Sequence, residues 1–248
     1  MIIPITDDTV PNGGGSYEKD ETLKIGVKSM QKKEFLFSER VKFNIKLGTA
    51  SRGIMVADEG TPLAELGPEE KLYILGHSSS GDNLLSGKTP SELLDHLIKR
   101  GLDLMRPLKI VLVSCNAGSR LTGKSFAELF FAEAFTRIEK KLSWDNMQIN
   151  INHKAKTNGG HTLWVKAPKG MISFSNLHDL KPHILPPEFY PEYQQLKSNL
   201  DLRKIEKAYL EEWLQKKMRT TLCTDWQFLP ESSAQMRWGL GGENPAAP

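Results

Sequence analysis

Leu72-Tyr73-Ile74-Leu75-Gly76-His77 and Ile110-Val111-Leu112-Val113-Ser114-Cys115 decide how this chain is read. Each is a short apolar run bounded by turn-forming residues, the pattern of a strand buried on both faces of a parallel sheet. In open α/β sheets the reactive groups lie just beyond the carboxyl ends of such strands. Here a histidine and a cysteine hold those two positions, with room between them for one crossover helix.

That helix is written into the intervening sequence. Thr89-Pro90-Ser91-Glu92 supplies a cap, a first-turn proline and a capping-box glutamate. Leu93, Leu94, Leu97, Ile98 and Leu102 then mark one face, and Gly101 is the expected terminator. The unit predicts a right-handed parallel crossover. Ser125-Phe126-Ala127-Glu128 repeats the capping pattern and opens a mostly apolar helix to about Lys141.

Outside this centre the expectations are coarser. Residues 1–20 read as a flexible leader. Thr22 to Leu47 shows period-two apolar positions (Leu23, Ile25, Val27, Phe35, Phe37, Val41, Phe43, Ile45, Leu47), which predict half-buried antiparallel strands. Met147 to Asn152 reads as a third core strand. Residues 163–167 and 171–174, joined by Pro168-Lys169-Gly170, read as a β-hairpin. A proline-rich joint (Pro182, Pro186, Pro187, Pro191) precedes a charged helix over about 192–219. The expected organisation is a leader (1–20), an α/β domain (21–180), a helical C-terminal extension (181–238) and a disordered tail (239–248). The fold class is α/β, a mainly parallel sheet flanked by helices.

The chain has 248 residues and a formal charge of +3, too small an excess to indicate wholesale nucleic-acid binding. No apolar stretch approaches the roughly 18 residues of a membrane span. The first residues lack the basic and apolar regions of a secretory signal. Both cysteines, Cys115 and Cys223, stand in contexts unlike a disulfide scaffold or a zinc site, so neither a disulfide nor a metal is expected.

A free thiol with a pKa near ~8.5 is a weak nucleophile at neutral pH, and an imidazole in the same cleft can take its proton and later protonate a leaving amine. The backbone N–H groups of Cys115 and Ser78 are the natural donors to a developing oxyanion. Gly76 and Gly118 are expected to let the backbone turn sharply beside the two reactive residues. The positive end of the helix opening near Ser125 is expected to favour the thiolate.

Gly76-His77-Ser78 after one apolar strand, and Val113-Ser114-Cys115-Asn116-Ala117-Gly118 after the next, resemble the caspase-like (clan CD) cysteine proteases. Within them the likeness is to the autoprocessing domains of MARTX and large clostridial toxins and to secreted bacterial effectors of the OspB type. It covers about residues 20–176, including Lys124-Ser125-Phe126-Ala127-Glu128. Ser78 departs from the glycine that many members carry after the histidine, although a backbone N–H is retained.

The resemblance implies a catalytic dyad of Cys115 and His77 without an acidic third member. It implies a secreted effector acting in host cytosol on a host protein, on itself, or on both. It also implies activation by inositol hexakisphosphate in a basic pocket remote from the cleft. Lys24, Lys28, Lys42, Lys46, Arg52, Lys154, Lys156, Lys166 and Lys169 are the residues that the sequence offers for that pocket. Two other readings stand beside the protease. One is a polyphosphate-sensing interaction module with a vestigial dyad. The other is acyl transfer or cyclisation, in which an amine intercepts the thioester.

Overall fold

The computed structural model describes residues 1–6, 20, 22–30, 62–66, 70, 71–78, 83–120, 123–148, 163–173 and 182–229. In chain order the strands are β1 (Ile2–Pro4), β2 (Lys71–Leu75), β3 (Leu108–Val113), β4 (Leu163–Pro168), β5 (Met171–Ser173), β6 (His183–Leu185), β7 (Arg219–Thr220) and β8 (Trp226–Leu229). The helices are α1 (22–30), α2 (Pro90–Lys99), α3 (Phe126–Gln148), α4 (Tyr190–Asp201) and α5 (Lys207–Lys217).

β1, β2, β3, β4 and β8 form a five-stranded sheet in that order. The first four run parallel and β8 returns antiparallel on β4. The α/β class with a mainly parallel sheet is therefore as the sequence predicts. The two apolar runs lie side by side in register, from Lys71 opposite Lys109 to Leu75 opposite Val113.

Alternation along the strands sends neighbouring side chains to opposite faces. Leu72, Ile74, Ile110, Leu112 and Val165 pack with Leu93, Leu94 and Leu97 of α2 and Phe126, Phe130 and Ala134 of α3. Leu75, Val111, Val113, Trp164, Trp226 and Phe228 pack on the other face with Leu23, Val27 and Met30 of α1. A fully buried aliphatic or aromatic side chain is worth about 1.5–3 kcal/mol, so these layers fix the sheet that carries the site.

The helix signals are realised. Thr89 caps α2 in a reciprocal box with Glu92, and Gly101 follows the helix at φ 90°. At α3 the Ser125 N–H donates to Glu128 Oε2 (2.8 Å) and the Glu128 N–H to Ser125 Oγ (3.1 Å). The Ser125 hydroxyl in turn donates to Gln227 Oε1 of β8 at 2.6 Å, both residues being buried.

Other expectations are corrected. Residues 22–30 are helical, because Leu23, Val27 and Met30 also satisfy a helical period and are all buried, whereas Ile25 is only half-buried. Residues 31–47, the rest of that strand expectation, lie outside the described residues. The leader reading fails at its start: Ile2–Pro4 pairs with Tyr73–Leu75, and Ile2 and Ile3 are fully buried.

Met147 and Gln148 end α3 rather than starting a strand, and 149–152 are outside the described residues. β4 and β5 do not pair with each other: β4 stays in the large sheet, while β5 joins β6 and β7 in a three-stranded antiparallel one. The helix expected over 192–219 is two helices, broken where Arg203 takes φ 56°. Nor is the segment from 181 a separable extension. It supplies β6 and β7 to the small sheet and β8 to the large one. Residues 239–248 lie outside the described residues.

Candidate active site

The β2–β3 ladder runs one step past its paired residues: the Gly76 N–H donates to the Val113 carbonyl at 3.3 Å. Just beyond, the Ser78 hydroxyl donates to the Cys115 carbonyl and ties the two strand ends together. His77 and Cys115 thus follow the register pair Leu75–Val113 at matching positions, as the sequence predicts.

The glycines serve close approach rather than a sharp turn. Neither Gly76 nor Gly118 has positive φ. A Cβ on Gly76 would lie 2.3 Å from Leu85 Cδ2, and one on Gly118 2.7 Å from the Ala167 carbonyl oxygen. The left-handed residue is Asn116, at φ 59°, immediately after the cysteine. Asparagine tolerates that conformation better than most residues. The turn is pinned by N–H bonds from Asn116 to Gly170 O (2.9 Å) and from Gly118 to Pro168 O (2.8 Å).

His77 is held at its backbone by Ser86. The His77 N–H donates to Ser86 Oγ at 3.0 Å, and the Ser86 N–H to the His77 carbonyl at 2.6 Å. Its ring reaches Asp20: Nε2 lies 2.6 Å from Asp20 Oδ2, with the histidine side chain 47 % exposed and the aspartate 18 %. The other carboxylate oxygen caps α1, accepting from the N–H groups of Thr22 (3.0 Å) and Leu23 (3.1 Å).

An acidic side chain, Asp20, thus contacts the histidine for which the resemblance implied no acidic partner. Asp20 was hidden inside the leader reading; its signal was an aspartate three residues before Leu23, the first apolar residue of a helical period. With its proton on Nε2, toward Asp20, the ring would present the lone pair of Nδ1, the tautomer a base needs.

Cys115 is half-buried, and its Sγ lies 3.6 Å from the Ile172 carbonyl oxygen. Burial pushes its thiol above the ordinary value, against backbone hydrogen bonding from Ile172 and from Cys115 itself, which pulls it down. The sulfur and the imidazole make no hydrogen bond with each other. Among the described residues, the N–H of Ser78 has no backbone acceptor, and that of Cys115 is turned to its own sulfur. At the helix end near Ser125, the Ser125 N–H is taken by the Glu128 carboxylate.

Tyr190 of α4 also contacts the turn after Cys115, and no local pattern in the sequence marks it. The Tyr190 hydroxyl donates to Asn116 Oδ1 and accepts from the Met171 N–H. Burial raises the pKa of both Tyr190 and Tyr193 above the ordinary value, against the Met171 N–H, which lowers that of Tyr190.

Of the nine basic residues, Lys42, Lys46, Arg52, Lys154 and Lys156 lie outside the described residues. Lys24 and Lys28 share a side of α1 at i, i+4 spacing, as helix neighbours rather than strand neighbours. Lys166 Nζ is 4.2 Å from the Trp226 ring centroid and 5.3 Å from that of Phe228. Lys169 is exposed at the turn after β4, near Asp225. These four occupy two elements and a turn, with Lys166 engaged on aromatic faces, so the described residues do not by themselves compose a polyphosphate cradle. Among the described residues no helix is long and apolar enough to cross a membrane. No family model matches the chain, and no curated protein matches it.

Proposed function

We propose that this chain is a cysteine endopeptidase of caspase-like type, in which Cys115 is the nucleophile and His77 the proton carrier. One observation carries the reading: the two residues follow matched ends of adjacent parallel strands, the place where α/β sheets hold reactive groups. Asp20 on Nε2, with the N–H groups of Ser78 and Cys115 as oxyanion donors, supports the set of roles that acyl transfer requires.

Sγ attacks the peptide carbonyl carbon while the thiol proton passes to His77 Nδ1. The carbonyl oxygen takes the negative charge and is held by the two N–H groups. Collapse breaks the C–N bond, the imidazolium returns its proton to the departing amine, and a thioester remains. Water, deprotonated by His77, then attacks the thioester, releasing the acid and the thiol. An amine in place of water would give transfer or cyclisation by the same steps.

Action as a secreted effector in host cytosol, on a host protein or on the chain itself, belongs to the same proposal through the family resemblance. So does activation by inositol hexakisphosphate, for which Lys24, Lys28 and Lys169 are the described candidates. Incubating the purified chain with and without this polyphosphate, then measuring intact mass, tests cleavage and its activation together. A shortened product that depends on the polyphosphate is expected. An unchanged mass, together with no cleavage of added denatured protein, would count against the proposal.

A second reading has an observation of its own. The thiol is held protonated by burial and makes no bond to His77, as a catalytically silent interaction module would have it. Reactivity of Cys115 that is indifferent to His77 would favour that reading.

A further inference from the structure

The Tyr190 hydroxyl joins the two chain segments that flank the sulfur. Its acceptor, Asn116, follows Cys115; its donor, Met171, precedes Ile172, whose carbonyl contacts Sγ. α4 and α5 have an apolar cluster of their own. Leu210 and Trp213 pack with Leu185 of β6 and with Phe189, Tyr193, Leu196 and Leu214, apart from both layers of the large sheet. Tyr193 stacks on Trp213, and Trp213 Nε1 donates to Glu192 Oε1 at 2.8 Å, so the helix pair is internally braced. Pro186 and Pro187 form the stiff joint by which it leaves β6.

We propose that α4 is an autoinhibitory cover over Cys115, latched by the hydroxyl of Tyr190 on Asn116 and Met171, and that this latch opens before a substrate carbonyl reaches the sulfur. In the latched form the Ile172 carbonyl occupies the sulfur, while His77 is held by Asp20 and not by the thiol. Releasing one phenol removes a bond from each flanking segment at once. The proposal rests on Cys115 being the nucleophile, but access to the sulfur is measurable without any peptide substrate.

The test uses the full chain carrying Cys223→Ser, so that Cys115 is the only thiol, and follows its alkylation by iodoacetamide at pH 8. Tyr190→Phe keeps the ring and removes the hydroxyl. The rate is expected to rise on the order of tenfold, as for loss of one well-made hydrogen bond with a partly buried partner. Asn116→Gly removes the acceptor while tolerating positive φ, and should give a similar rise. The double variant should be no faster than the faster single one, because both delete the same bond. Unchanged or slower alkylation in the two single variants, or rates that multiply in the double, would overturn the latch. Repeating the series in His77→Ala separates this idea from the protease reading. The cover predicts the same fold-gain with or without the imidazole, whatever happens to catalysis.

Discussion

Asp20 and His77 are joined across the molecule by a 2.6 Å contact between Oδ2 and Nε2, and the same carboxylate caps α1 through Oδ1. One side chain thus caps a helix and holds an imidazole ring together. Asp20→Asn retains a capping oxygen and removes the charge that orients the ring. Peptide cleavage should fall at least tenfold while the melting temperature stays within a few degrees. Asp20→Ala should lose both functions, with about 1 kcal/mol of stability gone as well. Steady-state kinetics beside thermal unfolding separates the two effects; equal activity in Asp20→Asn would remove Asp20 from the mechanism.

The alkylation profile of Cys115 reports its burial. Because the thiol is pushed up, the thiolate forms only above the ordinary thiol range, and reactivity should rise with a midpoint above ~8.5. Unfolding the chain in denaturant should bring the midpoint back down. The linkage has one sign: the unfolded thiol ionises first, so this group's contribution to stability is complete below the unfolded pKa and is lost as pH rises through the folded one. A native midpoint at or below the unfolded one would contradict the burial described here.

Glu128 provides the opposite case. Burial works against its ionisation, but hydrogen bonds from Arg120 and Ser125 outweigh that and hold its carboxyl at about 2. Its contribution is present above the ordinary carboxylate value of 4.5 and is lost as pH falls from there through about 2. Glu128→Ala should cost about 1 kcal/mol near pH 7, the usual worth of a capping interaction. Denaturant titrations of parent and variant should converge as the pH is lowered through that window. A gap that is constant with pH would mean that packing, and not the charge, is what the glutamate supplies.

Gly118 tests the close approach beneath the nucleophile turn. A Cβ there would lie 2.7 Å from the Ala167 carbonyl oxygen and 2.9 Å from Gln227 Cβ, so Gly118→Ala should destabilise by about 1–3 kcal/mol. The same substitution at Gly123, where a Cβ meets nothing within 4 Å but φ is +118°, should fail through backbone strain alone. Comparing the two by chemical denaturation distinguishes steric contact from conformational cost.

The parts of the fold that were legible are those where several local signals agree. The β2–α2–β3 crossover was readable because apolar runs, a capping box and a terminating glycine all specify the same geometry. The helix 22–30 was misread because Leu23, Ile25 and Val27 alternate while Leu23, Val27 and Met30 also fit a helical turn, and only burial decides between them. β5 is legible as a strand but not in its partner, and β8 leaves little trace, since which sheet a short strand joins depends on partners far along the chain. The same holds for the site. His77 and Cys115 announce themselves at strand ends, whereas Asp20 and Tyr190 reach them only through contacts spanning 57 and 74 residues of sequence, the latter to Asn116 beside the cysteine. No periodicity encodes such contacts.

The claim on which the rest depends is that one imidazole activates one sulfur. Mass-spectrometric mapping of a peptide acyloxymethyl ketone on the full chain, with inositol hexakisphosphate present, addresses it most directly. The probe should attach at Cys115 and not at Cys223, and attachment should fall at least a hundredfold in His77→Ala. Equal labelling of Cys115 with and without the histidine would contradict the pairing and leave only the α/β scaffold standing.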